Sequence, residues 1–148
     1  MRLKDKVAII TGGSRGIGFA AAEKFLEEGA SVIITASSQA TAEGAVSKLK
    51  EKYPEAAVAG IWPNLASLES VRAAFREVEE RFGGVDILVN NAGVSESTPF
   101  AEYTEEIFNK VMDLNVKGVF HASRAVVESM IKRGGGVILS TSSMVSIS

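Results

Sequence analysis

Short apolar runs alternate along the chain with stretches whose apolar residues recur at helical spacing. The runs are Val7-Ala8-Ile9-Ile10, Val32-Ile33-Ile34, Ala57 to Trp62, Ile87-Leu88-Val89 and Val137-Ile138-Leu139. Each is too short for a helix and reads as a strand. Between them, Ile17, Ala21 and Phe25 form one helical stripe that Gly29 stops. Ala42, Ala45, Val46, Leu49 and Tyr53 form a second, ended by Pro54. Leu68, Val71, Phe75, Val78 and Phe82 form a third, closed by Gly83-Gly84. The span from Thr104 to Arg133, with Ile107, Val111, Leu114, Val126 and Met130 on one side, is a fourth, ended by Gly134-Gly135-Gly136. Strand and helix in strict alternation predict a parallel sheet with crossover helices. Strands that are apolar throughout fit a sheet with helices on both faces. The last run differs. It leads only into Ser140 to Ser148, with no helix to cover it and no further strand beside it, so missing sequence is expected.

With 148 residues and no linker, repeat or low-complexity tract, residues 1–148 read as a single domain, incomplete at its C-terminal side. The balance of 46% hydrophobic and 23% charged residues is that of an ordinary globular protein. A net charge of −2 without long runs of one sign gives no electrostatic attraction for nucleic acid or an anionic membrane. There is no cysteine, which excludes disulfides and thiol chemistry and fits a cytoplasmic location. No stretch approaches the ~20 apolar residues of a membrane span, and the charged start precedes too short an apolar run for a signal peptide.

The chemistry begins at Thr11-Gly12-Gly13-Ser14-Arg15-Gly16-Ile17-Gly18, between the first strand and the first helix. Gly12 lets the chain turn off the strand, Gly16 lets backbone approach a phosphate, and Gly18 lets helix pack near strand. The helix N-terminus then offers free N–H groups and a partial positive charge to a pyrophosphate. Without a following Gly-Lys-Ser/Thr the turn is not a P-loop. A tight turn with no ligand is the plainer alternative.

The second strand ends in Thr35-Ala36-Ser37-Ser38, with no acid from Ala30 to Ala42. NAD-binding domains place Asp or Glu about 20 residues past the glycines, on the ribose hydroxyls. A carboxylate ~4 Å from a 2′-phosphate would cost roughly 1–4 kcal/mol at surface dielectrics. Its absence, with Ser37 and Ser38 as hydrogen-bond donors and Arg15 as a charge, predicts NADP(H) over NAD(H). Ser37 and Ser38 also suit the simple role of helix caps, and the two roles are compatible.

The glycine turn together with Asn90-Asn91-Ala92-Gly93 resembles the short-chain dehydrogenase/reductase family, and the likeness runs from Lys4 to Ser148. Bacterial 3-oxoacyl-acyl-carrier-protein reductases and related carbonyl reductases are the members it resembles most. The resemblance implies an α/β, Rossmann-type doubly wound parallel sheet with about five strands present. It implies that Gly12, Ser14, Arg15, Gly16, Ile17 and Gly18 hold the cofactor, with Asn64 and Leu65 at the adenine. Many relatives have Asp where Asn64 stands. Asn91, Ala92 and Gly93 would wall the adenosine and the nicotinamide-side ribose. A plain turn is the alternative for that segment. Asn115 resembles the family's helix asparagine, which kinks its helix and holds a water of the proton relay. Ser143 falls in register with the catalytic serine, which hydrogen-bonds the substrate oxygen. A solvent-facing helix asparagine and a strand-end serine are the plainer readings of the two.

The family chemistry also needs a Tyr-x-x-x-Lys about a dozen residues past the serine. The lysine's charge lowers the tyrosine's pKa so that it can pass a proton. Neither Tyr53 nor Tyr103 has a lysine four positions on, and five residues follow Ser143. His121, the single histidine, lies mid-helix with no partner evident in the sequence and reads as structural or exposed. The expectation is an NADP-dependent oxidoreductase acting on a small carbonyl or secondary alcohol, its parent a homo-oligomer, with the present chain inactive alone. No metal site is expected. The alternative is a non-catalytic dinucleotide-binding or regulatory module.

Overall fold

A computed structural model describes residues 1–91 and 100–141. Five strands, β1 (Val7–Ile10), β2 (Ser31–Thr35), β3 (Val58–Ile61), β4 (Ile87–Asn90) and β5 (Val137–Ser140), form one parallel sheet in the order β3-β2-β1-β4-β5. Helices α1 (Gly16–Glu27), α2 (Gln39–Lys52), α3 (Leu68–Phe82) and α4 (Glu105–Arg133) connect them, with a short 3-10 turn at Phe100–Glu102. The doubly wound α/β sheet predicted from the sequence is therefore present.

Alternate residues of β1 supply two cores. Val7 and Ile9 pack with Phe75 and Val78 of α3 and Ala122, Val126 and Met130 of α4. Ala8 and Ile10 pack with Ala22 and Leu26 of α1 and Ala45 and Leu49 of α2. This is why β1 is apolar at every position. α2, α3 and α4 begin at Ser38, Ser67 and Thr104, whose side chains each accept a hydrogen bond from a backbone N–H of the first turn. α3 and α4 end at the expected glycines, Gly83 and Gly134.

Two expectations shift. α1 buries Gly18, Ala22 and Leu26 rather than the stripe Ile17, Ala21 and Phe25, and Ile17 is 62% exposed. At the start of the helix the glycine turn is so close that only Gly18 fits the contact face, and Ala21 and Phe25 are left half-buried at the core's margin. β3 stops at Ile61, which leaves Trp62 exposed beyond it. Among the described residues β5 pairs with β4 alone, and all four of its residues are exposed.

Candidate nucleotide site

The sheet is parallel, so the carboxyl ends of all its strands lie on one edge. Strand order reverses there between β1, which leads to β2, and β4 on its other side. A crevice at such a reversal is where open α/β sheets take their ligands. The sequence-predicted residues converge on this edge. Gly12 to Gly18 follow β1, Ser37 and Ser38 follow β2, Asn64 and Leu65 follow β3, and Asn91 follows β4.

The glycine turn is tied down on both flanks. Its Gly12 and Gly13 N–H groups donate to the Thr35 hydroxyl and carbonyl of β2, each at 3.1 Å. The buried Thr11 hydroxyl accepts from the Asn91 N–H at 3.0 Å and donates to the Val89 carbonyl at 3.4 Å. The Asn91 amide donates to the Gly12 carbonyl at 3.3 Å. Thr141, just past β5, donates through its hydroxyl to Asn91 Oδ1 at 3.1 Å. Asn90 of β4 donates to the Ser123 hydroxyl of α4 at 3.1 Å. One continuous polar network thus joins β2, the turn, β4, α4 and the end of β5.

Gly12 and Gly16 hold φ of 65° and 60°, a conformation that side chains with a Cβ rarely adopt. At Gly18 a Cβ would fall inside contact distance of the Gly12 carbonyl and 2.5 Å from Asn91 Nδ2. The turn is therefore built around the absence of side chains, as close approach of helix to strand requires. α1 is the exception among the four long helices described: its N-cap, Arg15, makes no side-chain cap. A helix end of this kind, with free N–H groups, can take an anion. Ser14 is half-buried, while Arg15 and Ile17 are exposed at the same end. These features fit the pyrophosphate of a dinucleotide.

The remaining candidates take these places. Ser38 caps α2, accepting from the Thr41 N–H at 3.2 Å and donating to the Thr41 hydroxyl at 2.9 Å; Ser37 beside it is exposed. The simple capping role thus holds for Ser38. Asn64 is exposed, and its Oδ1 accepts from the Ala66 N–H at 3.0 Å, closing the turn that carries half-buried Leu65. Asn115 is half-buried within the continuous helix α4. Ala92, Gly93 and Ser143 lie outside the described residues.

Three contributors escaped the sequence reading. Thr35 was legible only as a strand end, yet it holds both glycine amides. Ser123 holds β4 to α4. His121 has a partner after all: its Nδ1 lies 2.7 Å from the Leu65 carbonyl. A helical stripe shows which residues face the sheet, but not a polar pairing across 56 residues of sequence.

Tyr53 does not stand in for a catalytic tyrosine. Its hydroxyl donates to Glu27 Oε1 at 2.9 Å. Desolvation first, and then that bond, raise its phenol above the ordinary value, opposite to what a proton shuttle needs. The neighbouring Lys52 is turned to Glu23, 2.7 Å away. Among the described residues no group of acids, histidines or cysteines could hold a metal ion, and no helix is long and apolar enough to cross a membrane.

Comparison with known proteins agrees with this geometry. The short chain dehydrogenase family profile matches residues 6–148. A 3alpha-hydroxysteroid dehydrogenase of Mediterraneibacter gnavus is 54% identical over 147 residues, covering 99% of this chain and 59% of that protein. A 3-oxoacyl-acyl-carrier-protein reductase of Vibrio cholerae is 39% identical, covering 98% of this chain and 57% of its own. Among solved structures, an NAD+-bound xylitol dehydrogenase superposes with a TM-score of 0.86 at 31% identity, over 97% of this chain and 55% of that one. The chain therefore spans under three fifths of the length of these relatives. On the profile match, the relatives and the glycine turn at the sheet's reversal, the chain belongs to the short-chain dehydrogenase family of oxidoreductases.

Proposed function

We propose that the protein carrying this chain transfers hydride between NADP(H) and a carbonyl or its secondary alcohol. The observation that carries the reading is the uncapped α1 terminus set on a glycine turn that is held from both sides. The relatives named above act on a hydroxysteroid and on an oxoacyl group. A carbonyl interconverted with an alcohol is what those names share, so the substrate class is drawn at that level.

The bound nicotinamide supplies the hydride donor or acceptor. The chain's own residues bind and orient. The α1 N–H groups take the pyrophosphate, and Asn64 and Leu65 flank the adenine. Arg15 and Ser37 meet the 2′-phosphate, where the lack of an acid from Ala30 to Ala42 spares it repulsion. Ser38 caps α2 and contributes less than Ser37. Ala92 and Gly93 continue the wall that Asn91 begins. Ser143 hydrogen-bonds the substrate oxygen, and Asn115 holds a water in the proton path. The sequence contains no Tyr-x-x-x-Lys, so the 148-residue chain alone binds cofactor without turning over substrate. A chain without cysteine suits the cytoplasm.

Initial rates of ketone reduction test this. The complete product of the reading frame oxidises NADPH faster than NADH, and the 148-residue chain oxidises neither. A complete product that prefers NADH would overturn the cofactor assignment. Steady turnover by the 148-residue chain would overturn the division of labour.

A further inference from the structure

The loop that carries Asn64 and Leu65 is fastened from several directions. The Asn64 N–H donates to the Ser70 hydroxyl at 3.0 Å, and Asn64 Oδ1 closes the turn on Ala66. From the other side α4 presses on Leu65 at two positions one turn apart. At Gly118 an added Cβ would lie 3.7 Å from the Leu65 Cβ, so helix and loop already approach closely. At His121 the ring Nδ1 stands 2.7 Å from the Leu65 carbonyl oxygen. A carbonyl only accepts, so Nδ1 must carry the proton. The ring is half-buried, and Phe120 meets it edge-on with centroids 5.7 Å apart.

We propose that His121 is a positioning residue for the adenine end of the cofactor site. It acts through the Leu65 carbonyl and touches no reacting atom. The same helix holds β4 through Ser123 and carries Asn115, so α4 sets the adenine loop and the catalytic side from one rigid element. The Nδ1–H bond fixes the height of Leu65 against α4 and thereby one wall of the adenine slot. The proposal rests on the cofactor reading above.

Binding to the 148-residue chain tests it by fluorescence titration with NADPH, 2′-phospho-ADP-ribose and nicotinamide mononucleotide. In His121→Leu the dissociation constants of the two adenine-containing ligands rise about five-fold, the size of one ordinary hydrogen bond. That of nicotinamide mononucleotide stays the same. His121→Asn, whose amide reaches the Nδ1 position, restores most of the loss. Equal affinities in wild type and His121→Leu, or a uniform loss for all three ligands, would overturn the proposal. A wild-type chain that binds none of them would instead overturn the cofactor reading beneath it. Should His121→Leu fail to fold, nitrogen NMR of the chain's only histidine decides. A neutral ring protonated on Nδ1 supports the bond, and one protonated on Nε2 overturns it.

Discussion

β1 and β5 are both four-residue parallel strands with runs of aliphatic side chains, yet the fold treats them differently. In β1, Val7 is 6% exposed and Ala8, Ile9 and Ile10 are 0%. In β5, Val137, Ile138 and Leu139 are 50%, 39% and 49% exposed. β1 lies between two strands and under helices on both faces, and its end opens into the glycine turn. Among the described residues β5 has one neighbour, and Thr141 just past it bonds to Asn91 of the polar network. The apolar pattern thus reports that a segment is a strand. Its worth to stability and function comes from what packs on it.

Truncation measures that difference most directly. Ile9→Ala costs about 2–5 kcal/mol of unfolding free energy in urea, as for a fully buried aliphatic residue. Ile138→Ala costs less than about 1 kcal/mol, as for surface positions. Similar losses at the two sites would break the comparison.

At the functional end of β1, Gly18→Ala drives a methyl into the Gly12 carbonyl and the Asn91 amide. Overpacking of this kind costs roughly 1–3 kcal/mol, and NADPH affinity falls by about ten-fold or more. Calorimetric titration checks it, and unchanged affinity would show that the turn does not shape the site. Thr35→Val leaves the Gly12 N–H without its acceptor while keeping shape. It costs about 1–3 kcal/mol if that amide stays dry, read as a lowered denaturation midpoint. No loss would mean that water replaces the hydroxyl. Smallest is Gly44→Ala, on an exposed face of α2 where a Cβ meets nothing within 4 Å. It gains about 0.5–1 kcal/mol from helix propensity alone, and thermal melting reads it as the scale for the rest. A loss there would show that α2 tolerates less than its open face suggests.

Most of the fold was legible because hydrophobic period and helix stops are local signals. All five strands and four long helices fall where the pattern puts them. The misreadings arose where contact overrides hydrophobicity. α1 turns Gly18 toward the glycine turn, where a Cβ would meet the Gly12 carbonyl, and leaves Ile17 exposed, while Ala21 and Phe25 pack at the core's margin. Of the candidate site, the glycine turn was legible from its string between strand and helix, while Asn64, Leu65 and Asn91 entered only through the family resemblance. Thr35 was hidden because one hydroxyl in a strand carries no period. His121 was hidden because its partner comes from a different layer of the fold.

The central claim is that the edge where strand order reverses, between β1 and β4, holds NADP(H). A crystal structure of the chain grown with NADPH tests it most directly. The account predicts the pyrophosphate against the start of α1, the adenine beside Asn64 and Leu65, and the 2′-phosphate between Arg15 and Ser37. A nucleotide seated elsewhere, or a 2′-phosphate turned away from Arg15 and Ser37, would contradict it.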